Sequence, residues 1–236
     1  MTKKGKLYLI PCTLGENAGH TIPPYVVSIL HKLDVFIAER AKTARAFIKT
    51  TQPVKPFSDL VFYELNKRSE DAEIATFLQD AESGKDVGLL SEAGCPGVAD
   101  PGAVIVAMAH RKGIEVVPLV GPSSILLALM GAGMNGQSFT FHGYLPVKKP
   151  ELAKKLKHLE QISGRLRQTQ IFIETPYRSN SILVEMLNIL GPATKVCVAT
   201  DLTLETEFIQ TKAVKGWKSG ELPDLHKRPT VFLLES

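Results

Sequence analysis

Residues 87–124 read VGLLSEAGCPGVADPGAVIVAMAHRKGIEVVPLVGPSS, and the alternation of apolar runs and breakers in this stretch decides the fold class. Val87 to Leu90 is an apolar run of strand length, followed by a glycine- and proline-rich stretch from Ser91 to Gly102. From about Ala103 to Lys112 the apolar positions recur at helical spacing until Gly113 stops them, and Glu115 to Leu119 reads as a second strand. Strand, long turn, helix and strand in about 30 residues make a βαβ unit. Such a unit predicts parallel strands in a sheet covered on both faces.

The same rhythm extends in both directions. Upstream, Lys6 to Pro11 predicts a strand. Ile22 to Leu33 predicts a helix with Pro23 and Pro24 in its first turn, and Val35 to Glu39 a strand. Ser69 to Gly84 predicts one helix, capped by Ser69. Downstream, a small-residue helix is expected from about Ser123 to Ala132. A second series then begins, with strands at Phe139 to Tyr144, Gln170 to Glu174, Lys195 to Ala199, Phe208 to Val214 and Thr230 to Leu234. Its helices are Glu151 to Ile162 and Arg178 to Leu190. Two late strands have no helix between them, so the second sheet is expected to be mixed. The expectation is an α/β protein of two domains, 1–134 with a mainly parallel sheet and 135–236 with a mixed one, divided near Asn135.

Composition narrows the function classes. With 236 residues, 44% hydrophobic and 22% charged, the chain is neither disordered nor fibrous. No apolar run approaches the roughly 20 residues of a membrane helix, and the run Leu7 to Pro11 is too short for a signal peptide. Cys12, Cys95 and Cys197 lie far apart without a CxxC pair, which predicts a reducing compartment, a cytoplasmic protein and no zinc site. The six histidines show no metal spacing, so no metal is expected. Residues 1–147 carry 14 Lys/Arg and 14 Asp/Glu, whereas 148–236 carry 14 against 10. Seven bases cluster in Lys148 to Arg167 against Glu151 and Glu160, either a solvated helix face or a surface for a polyanion.

In open α/β sheets, ligands bind beyond the carboxyl ends of the strands. Three such ends stand out. Ser91 to Gly102 is longer than a connection needs and contains neither a P-loop nor a GxGxxG pattern, so it is read as a ligand loop of another kind. Gly121-Pro122-Ser123-Ser124 opens a helix, where a serine could cap the helix or meet a ligand. Pro11 to Asn17 follows the first strand. Glu174-Thr175-Pro176-Tyr177-Arg178 also follows a strand, with Thr175 a possible cap before proline, and Trp217 reads as a packing residue.

As a set these segments resemble the tetrapyrrole methylase superfamily, and most closely its branch of small-subunit ribosomal RNA (cytidine 2′-O)-methyltransferases. SEAGCPGVADPG is similar to the S-D-A-G-x-P-x-x-x-D-P-G loop, and VVPLVGPSS to V-P-L-P-G-P-S-A. FTFHGYLP with Lys148-Lys149, IFIETPYRSN and TDLTLETEF resemble further segments in family order. The resemblance implies a homodimer and S-adenosylmethionine held folded in a cleft between two α/β domains. It implies that Pro11, Glu92, Ala93, Gly94, Cys95 and Pro96 lie against the methionine part. Ser123 and Ser124 would take another side, and backbone near Tyr144, Thr175 and Pro176 would close over the adenosine. The family's E-D-T-R-H is here Glu39-Arg40-Ala41-Lys42-Thr43, and its Y-H-E-H-N is Tyr63-Glu64-Leu65-Asn66. A ribose hydroxyl needs a base or an oxyanion-stabilising cation, and Glu39, Arg40 and Lys42 are the charged group expected to serve. The leading expectation is a methyltransferase of small-subunit ribosomal RNA. A small-molecule methylase and a non-catalytic S-adenosylmethionine-binding protein are the alternatives.

Overall fold

A computed structural model describes residues 3–65 and 69–236; Asn66 lies outside the described residues. The chain divides into two compact units, 1–123 and 124–236.

The first unit runs β1 (Lys6–Ile10), α1 (Pro24–Leu30), β2 (Val35–Ala38), α2 (Ala41–Thr50), β3 (Val61–Glu64), α3 (Asp71–Ile74), α4 (Gln79–Glu82), β4 (Val87–Leu90), α5 (Ala103–Arg111) and β5 (Glu115–Pro118). Its strands lie in the order β3-β2-β4-β1-β5, with every pairing parallel. One face buries Leu7, Ile37, Val87 and Leu89 under Ile105 and Met108 of α5. The other buries Ile10, Phe36 and Leu90 under Val26 and Leu30 of α1 and Ile48 of α2. Cover on both faces is why β2 and β4 are buried at every position, at roughly 1.5–3 kcal/mol of transfer free energy per large side chain.

Two expectations for this unit are corrected. The helix predicted from Ser69 to Gly84 is two single turns, α3 and α4, joined by a bend that carries both Phe77 and Leu78 into the core. Phe77 stacks on Tyr63 with centroids 5.3 Å apart, and Ser69 donates to the Glu64 carbonyl at 2.8 Å instead of capping the helix. The helix predicted from Ile22 starts at Pro24, because the residue before a proline is held extended; Pro23 sits at φ −60°, ψ 143°.

The second unit runs α6 (Ser124–Ala132), β6 (Phe139–Tyr144), α7 (Lys149–Leu166), β7 (Thr169–Glu174), α8 (Ser179–Ile189), β8 (Lys195–Thr200), β9 (Phe208–Ala213), α9 (Val214–Lys218) and β10 (Thr230–Glu235). Its sheet, β6-β7-β10-β8-β9, is mixed: β6 and β7 are parallel and the other pairings antiparallel. Leu152, Leu156 and Leu159 of α7 meet Ile182 and Met186 of α8, Trp217 of α9, and Phe172 and Phe232 of the sheet. Helix α6 packs on β8, β9 and β10. A Cβ on its Gly131 would lie 2.8 Å from Ile209 Cδ1, and the Thr211 hydroxyl donates to the Ala132 carbonyl at 2.8 Å. The expected boundary near Asn135 would leave α6 with the first unit; its packing assigns it to the second.

Candidate functional site

The parallel register of the first sheet brings its strand ends into one row. Glu64, Ala38, Leu90 and Ile10 are successive cross-strand neighbours, so the segments after β3, β2, β4 and β1 share one rim. The Ser91–Gly102 and Pro11–Asn17 loops lie there, as do Glu39, Arg40 and Lys42.

These loops are tied to one another by backbone. Cys12 and Gly94 exchange two hydrogen bonds, Cys12 N–H to Gly94 O at 2.9 Å and Gly94 N–H to Cys12 O at 3.1 Å. The buried Ser91 hydroxyl donates to the Gly94 carbonyl at 2.9 Å, and the Cys95 thiol to the Pro122 carbonyl at 3.4 Å. Gly94 sits at φ +73°, a region glycine enters without the Cβ clash of other residues. Gly121 is needed for another reason: a Cβ there would lie 2.2 Å from Pro11 Cβ and Cγ. The far half of the loop turns around Asp100, whose Oδ1 accepts the Gly97 N–H at 2.7 Å and the Gly102 N–H at 2.8 Å.

Burial sets the electrostatics. The Cys12 thiol is pushed up to about 12, first by desolvation and then by the Glu92 charge. Cys95 is also raised by burial, so both thiols stay protonated at neutral pH and neither acts as a thiolate nucleophile. Burial raises the Asp100 carboxyl, against the pull of its two amide donors.

Of the residues predicted for this site, Pro11, Gly94 and Pro96 are buried, Glu92 and Cys95 half-buried, and Ala93 exposed. Ser123 and Ser124 are half-buried at the end of one unit and the start of the other. Glu39 is half-buried, while Arg40 and Lys42 are exposed at the start of α2. There the Ala41 N–H is satisfied by Glu64 Oε1 at 2.7 Å. The sequence marks Ser91 to Gly102 as a ligand loop but does not reveal the bracing roles of Ser91 and Asp100 within it, nor that of Glu64. Asp100 between two glycines was the available sign, because a carboxylate can gather the amides a glycine turn leaves free. Among the described residues no group of His, Cys, Asp or Glu could hold a metal ion.

The remaining predicted residues share one rim of the second sheet. Tyr144 pairs with Ile173, and Glu174, Thr230, Thr200 and Phe208 form the row beyond. The fully buried Glu174 side chain accepts the Thr175 N–H at 2.7 Å and meets Arg178 Nη1 at 3.1 Å. Arg178 Nη2 reaches the Pro146 carbonyl at 3.2 Å, tying the segment after β6 to the turn after β7. Thr175 and Tyr144 remain exposed. Arg228 holds Asp201 at 2.7 Å at the end of β8.

The chain is a two-unit α/β protein with glycine-rich loops at the carboxyl ends of its parallel strands, the place where open α/β sheets bind ligands, and it carries neither a P-loop nor a dinucleotide fingerprint. The family of Tetrapyrrole (Corrin/Porphyrin) Methylases matches residues 6–215, and the chain belongs to it. It is an S-adenosylmethionine-dependent methyltransferase. Among its relatives is the ribosomal RNA small subunit methyltransferase I of Bacillus subtilis (strain 168), 34% identical over 220 residues, covering 92% of this chain and 71% of that one. The protein of the same name from Vibrio cholerae serotype O1 is 31% identical over 205 residues, covering 86% and 67%. Solved structures with this fold include the methyltransferase CobJ (TM-score 0.63, 20% identity, 98% of this chain and 94% of that one). Another is uroporphyrin-III C-methyltransferase from Thermus thermophilus complexed with S-adenosyl homocysteine (TM-score 0.57, 16% identity, 98% of each chain).

Proposed function

We propose that the protein transfers a methyl group from S-adenosylmethionine to a ribose 2′-hydroxyl of small-subunit ribosomal RNA, acting as a cytoplasmic homodimer. The observation that carries this reading is the likeness over most of the chain to relatives named for that RNA. S-adenosylmethionine supplies a methyl group on a sulfonium that leaves as a neutral thioether. The protein's task is therefore alignment and exclusion of water. The Glu92–Pro96 turn, fixed through Gly94 to Cys12, offers rigid backbone against which the donor is held, with Pro11 beside it. Ser123 is proposed as a further donor contact in the first unit, and Ser124, Tyr144, Thr175 and Pro176 are the residues of the second unit that the family resemblance nominates. The hydroxyl loses its proton as the methyl arrives. Glu39 is proposed to accept that proton, and Arg40 and Lys42 to stabilise the developing oxyanion.

The test is a transfer assay with methyl-labelled donor, offering small-subunit RNA, total RNA and small-molecule extracts in parallel. Label is expected in RNA, and within it in an alkali-resistant dinucleotide, because a methylated 2′-oxygen cannot attack the neighbouring phosphate. Label only in small molecules, or none in any acceptor, overturns the proposal.

A further inference from the structure

The turn after β7 and the segment before β10 carry an exposed pair of rings that none of the proposed donor contacts includes. Tyr177 is 73% exposed, and with Tyr144 at 61% it is one of the two most exposed Phe, Tyr or Trp residues among those described. The backbone around it is nonetheless fixed. Glu174 and Ser179, which bracket Tyr177, are buried, and Arg178 pairs with Glu174 and reaches the Pro146 carbonyl. Asn180 of α8 binds the facing segment twice: its Oδ1 accepts the Leu225 N–H at 2.7 Å, and its amide donates to Asp224 Oδ1 at 2.8 Å. Leu225 is wholly buried, and the Lys227 N–H donates to the Pro176 carbonyl at 3.1 Å. Between these ties the exposed His226 meets the Tyr177 ring edge to face, with centroids 6.0 Å apart and planes at 70°. Whichever ring presents its edge, at least one face of Tyr177 stays clear of its partner.

We propose that Tyr177, braced by His226, is a stacking platform for an unpaired base of the RNA substrate. The inference rests on the ribosomal RNA reading above and names how that acceptor is held. A ribose hydroxyl is aligned with a methyl donor only when its nucleotide is fixed, and unpaired nucleotides are fixed by stacking on aromatic rings. An exposed tyrosine on a rigid turn offers such a face to any base. Its place in the chain suits the task, since the proposed donor contacts Thr175 and Pro176 are the two residues before it. Its direction separates it from the donor. Tyr144 ends β6 on one side of β7, whereas Tyr177 leans on His226 toward β10 on the other, a side for which no donor contact is proposed. The charges on these two turns balance: Glu174 pairs with Arg178, Asp201 with Arg228, and Lys227 offsets Asp224, so no net negative charge repels a phosphate chain.

The full-length protein carrying Tyr177→Leu tests this. Tyr177→Phe, which keeps the ring, and Phe139→Leu, at the other end of β6 from Tyr144, are the controls. The probes are an unpaired fragment of small-subunit ribosomal RNA and the same fragment annealed to its complement. Loss of one base–aromatic stack makes Tyr177→Leu bind the single strand about 5- to 150-fold more weakly. Both controls should stay within about twofold of wild type, as should Tyr177→Leu with the duplex. Affinity for S-adenosylhomocysteine, melting temperature and sedimentation mass should not change, because the side chain is exposed. 2-Aminopurine placed at each position of the fragment in turn reads the stack directly. At one position its fluorescence should be quenched by wild type and by Tyr177→Phe, but not by saturating Tyr177→Leu. An unchanged affinity in Tyr177→Leu, or an equal loss in either control or with the duplex, overturns the proposal. Weaker S-adenosylhomocysteine binding overturns it by assigning the ring to the donor, and a changed mass by assigning it to a contact between copies. Failure of the substrate reading shows separately, as a wild-type protein that neither binds nor methylates RNA, and the platform falls with it.

Discussion

Replacing Gly121 with alanine puts a Cβ 2.2 Å from Cβ and Cγ of Pro11. Carbon atoms in ordinary contact lie about 3.5–4 Å apart, so one segment must move by more than about 1 Å. The proline ring cannot turn away, and the next residue, Cys12, is bound to Gly94 through two hydrogen bonds. The displacement therefore falls on Gly121 and Pro122, and through the Pro122 carbonyl on Cys95. Overpacking of this kind costs about 1–3 kcal/mol. If the donor needs this rim in its native shape, that energy reappears as about 5- to 150-fold weaker binding. Calorimetric titration with S-adenosylhomocysteine reads the binding, and thermal unfolding reads the stability, with a drop of about 2–4 °C per kcal/mol for a chain of this size. Gly19→Ala is the control, since a Cβ there meets nothing within 4 Å. A Gly121→Ala protein with wild-type melting and affinity within twofold would refute both the packing argument and the donor placement.

Gly94→Leu forces a large side chain into a positive-φ position against Leu14 and the Pro122 carbonyl; donor binding should vanish in calorimetry while far-ultraviolet circular dichroism stays native. Asp100→Asn keeps an oxygen able to accept both amides and should unfold in urea within about 1 kcal/mol of wild type at pH 7, whereas Asp100→Ala leaves two donors unmet and costs about 2 kcal/mol or more. Because the folded Asp100 carboxyl is raised above its ordinary value, its ionisation works against folding. That penalty is full at neutral pH and fades as pH falls through the raised value, so urea titrations across pH should show wild type gaining on Asp100→Asn as the solution is acidified. Changing Lys154, Lys155 and Lys157 of α7 together to Gln should flatten the salt dependence of RNA binding by about 0.7 per lost contact with a single strand; an unchanged slope makes that face merely solvated. Sedimentation should give about twice the chain mass of 25.8 kDa, and a value near that mass itself removes the homodimer.

The elements that sequence periodicity located best are those whose environment matches their pattern. Val87 to Leu90 and Phe139 to Tyr144 are strands over those same residues, bounded by breakers. Helix α2 escaped notice because its buried positions are Ala41, Ala44 and Ile48, too small and too few to stand out among lysines and threonines. Strand β3 is four residues long, half-exposed and at the sheet edge, and the apolar run Leu60 to Tyr63 was the signal that could have found it. The predicted helix over 69–84 failed because the core needs Phe77 and Leu78 together, and tertiary packing overrode helical propensity. At the candidate site, Pro11 and the Gly94 turn were legible as loops after strands. The Cys12–Gly94 pairing and the fit of Gly121 on Pro11 were not, because they join residues distant in sequence.

The last strand of the second sheet is also its middle one. Strand β10 lies between β7 and β8, pairs with both, and supplies Glu235 to Asn135 and Lys195. Until Thr230–Glu235 has been synthesised, the sheet exists only as two separate ribbons, β6-β7 and β8-β9, each with an unpaired edge. The first unit needs nothing beyond residue 123 to complete its own sheet. Growing from the N-terminus, the chain thus completes the sheet that carries the candidate-site loops while the second half is still waiting for its keystone. During that interval β7 and β8 are open to capture by any other strand, so cellular quality control has most reason to attend to this half of the molecule.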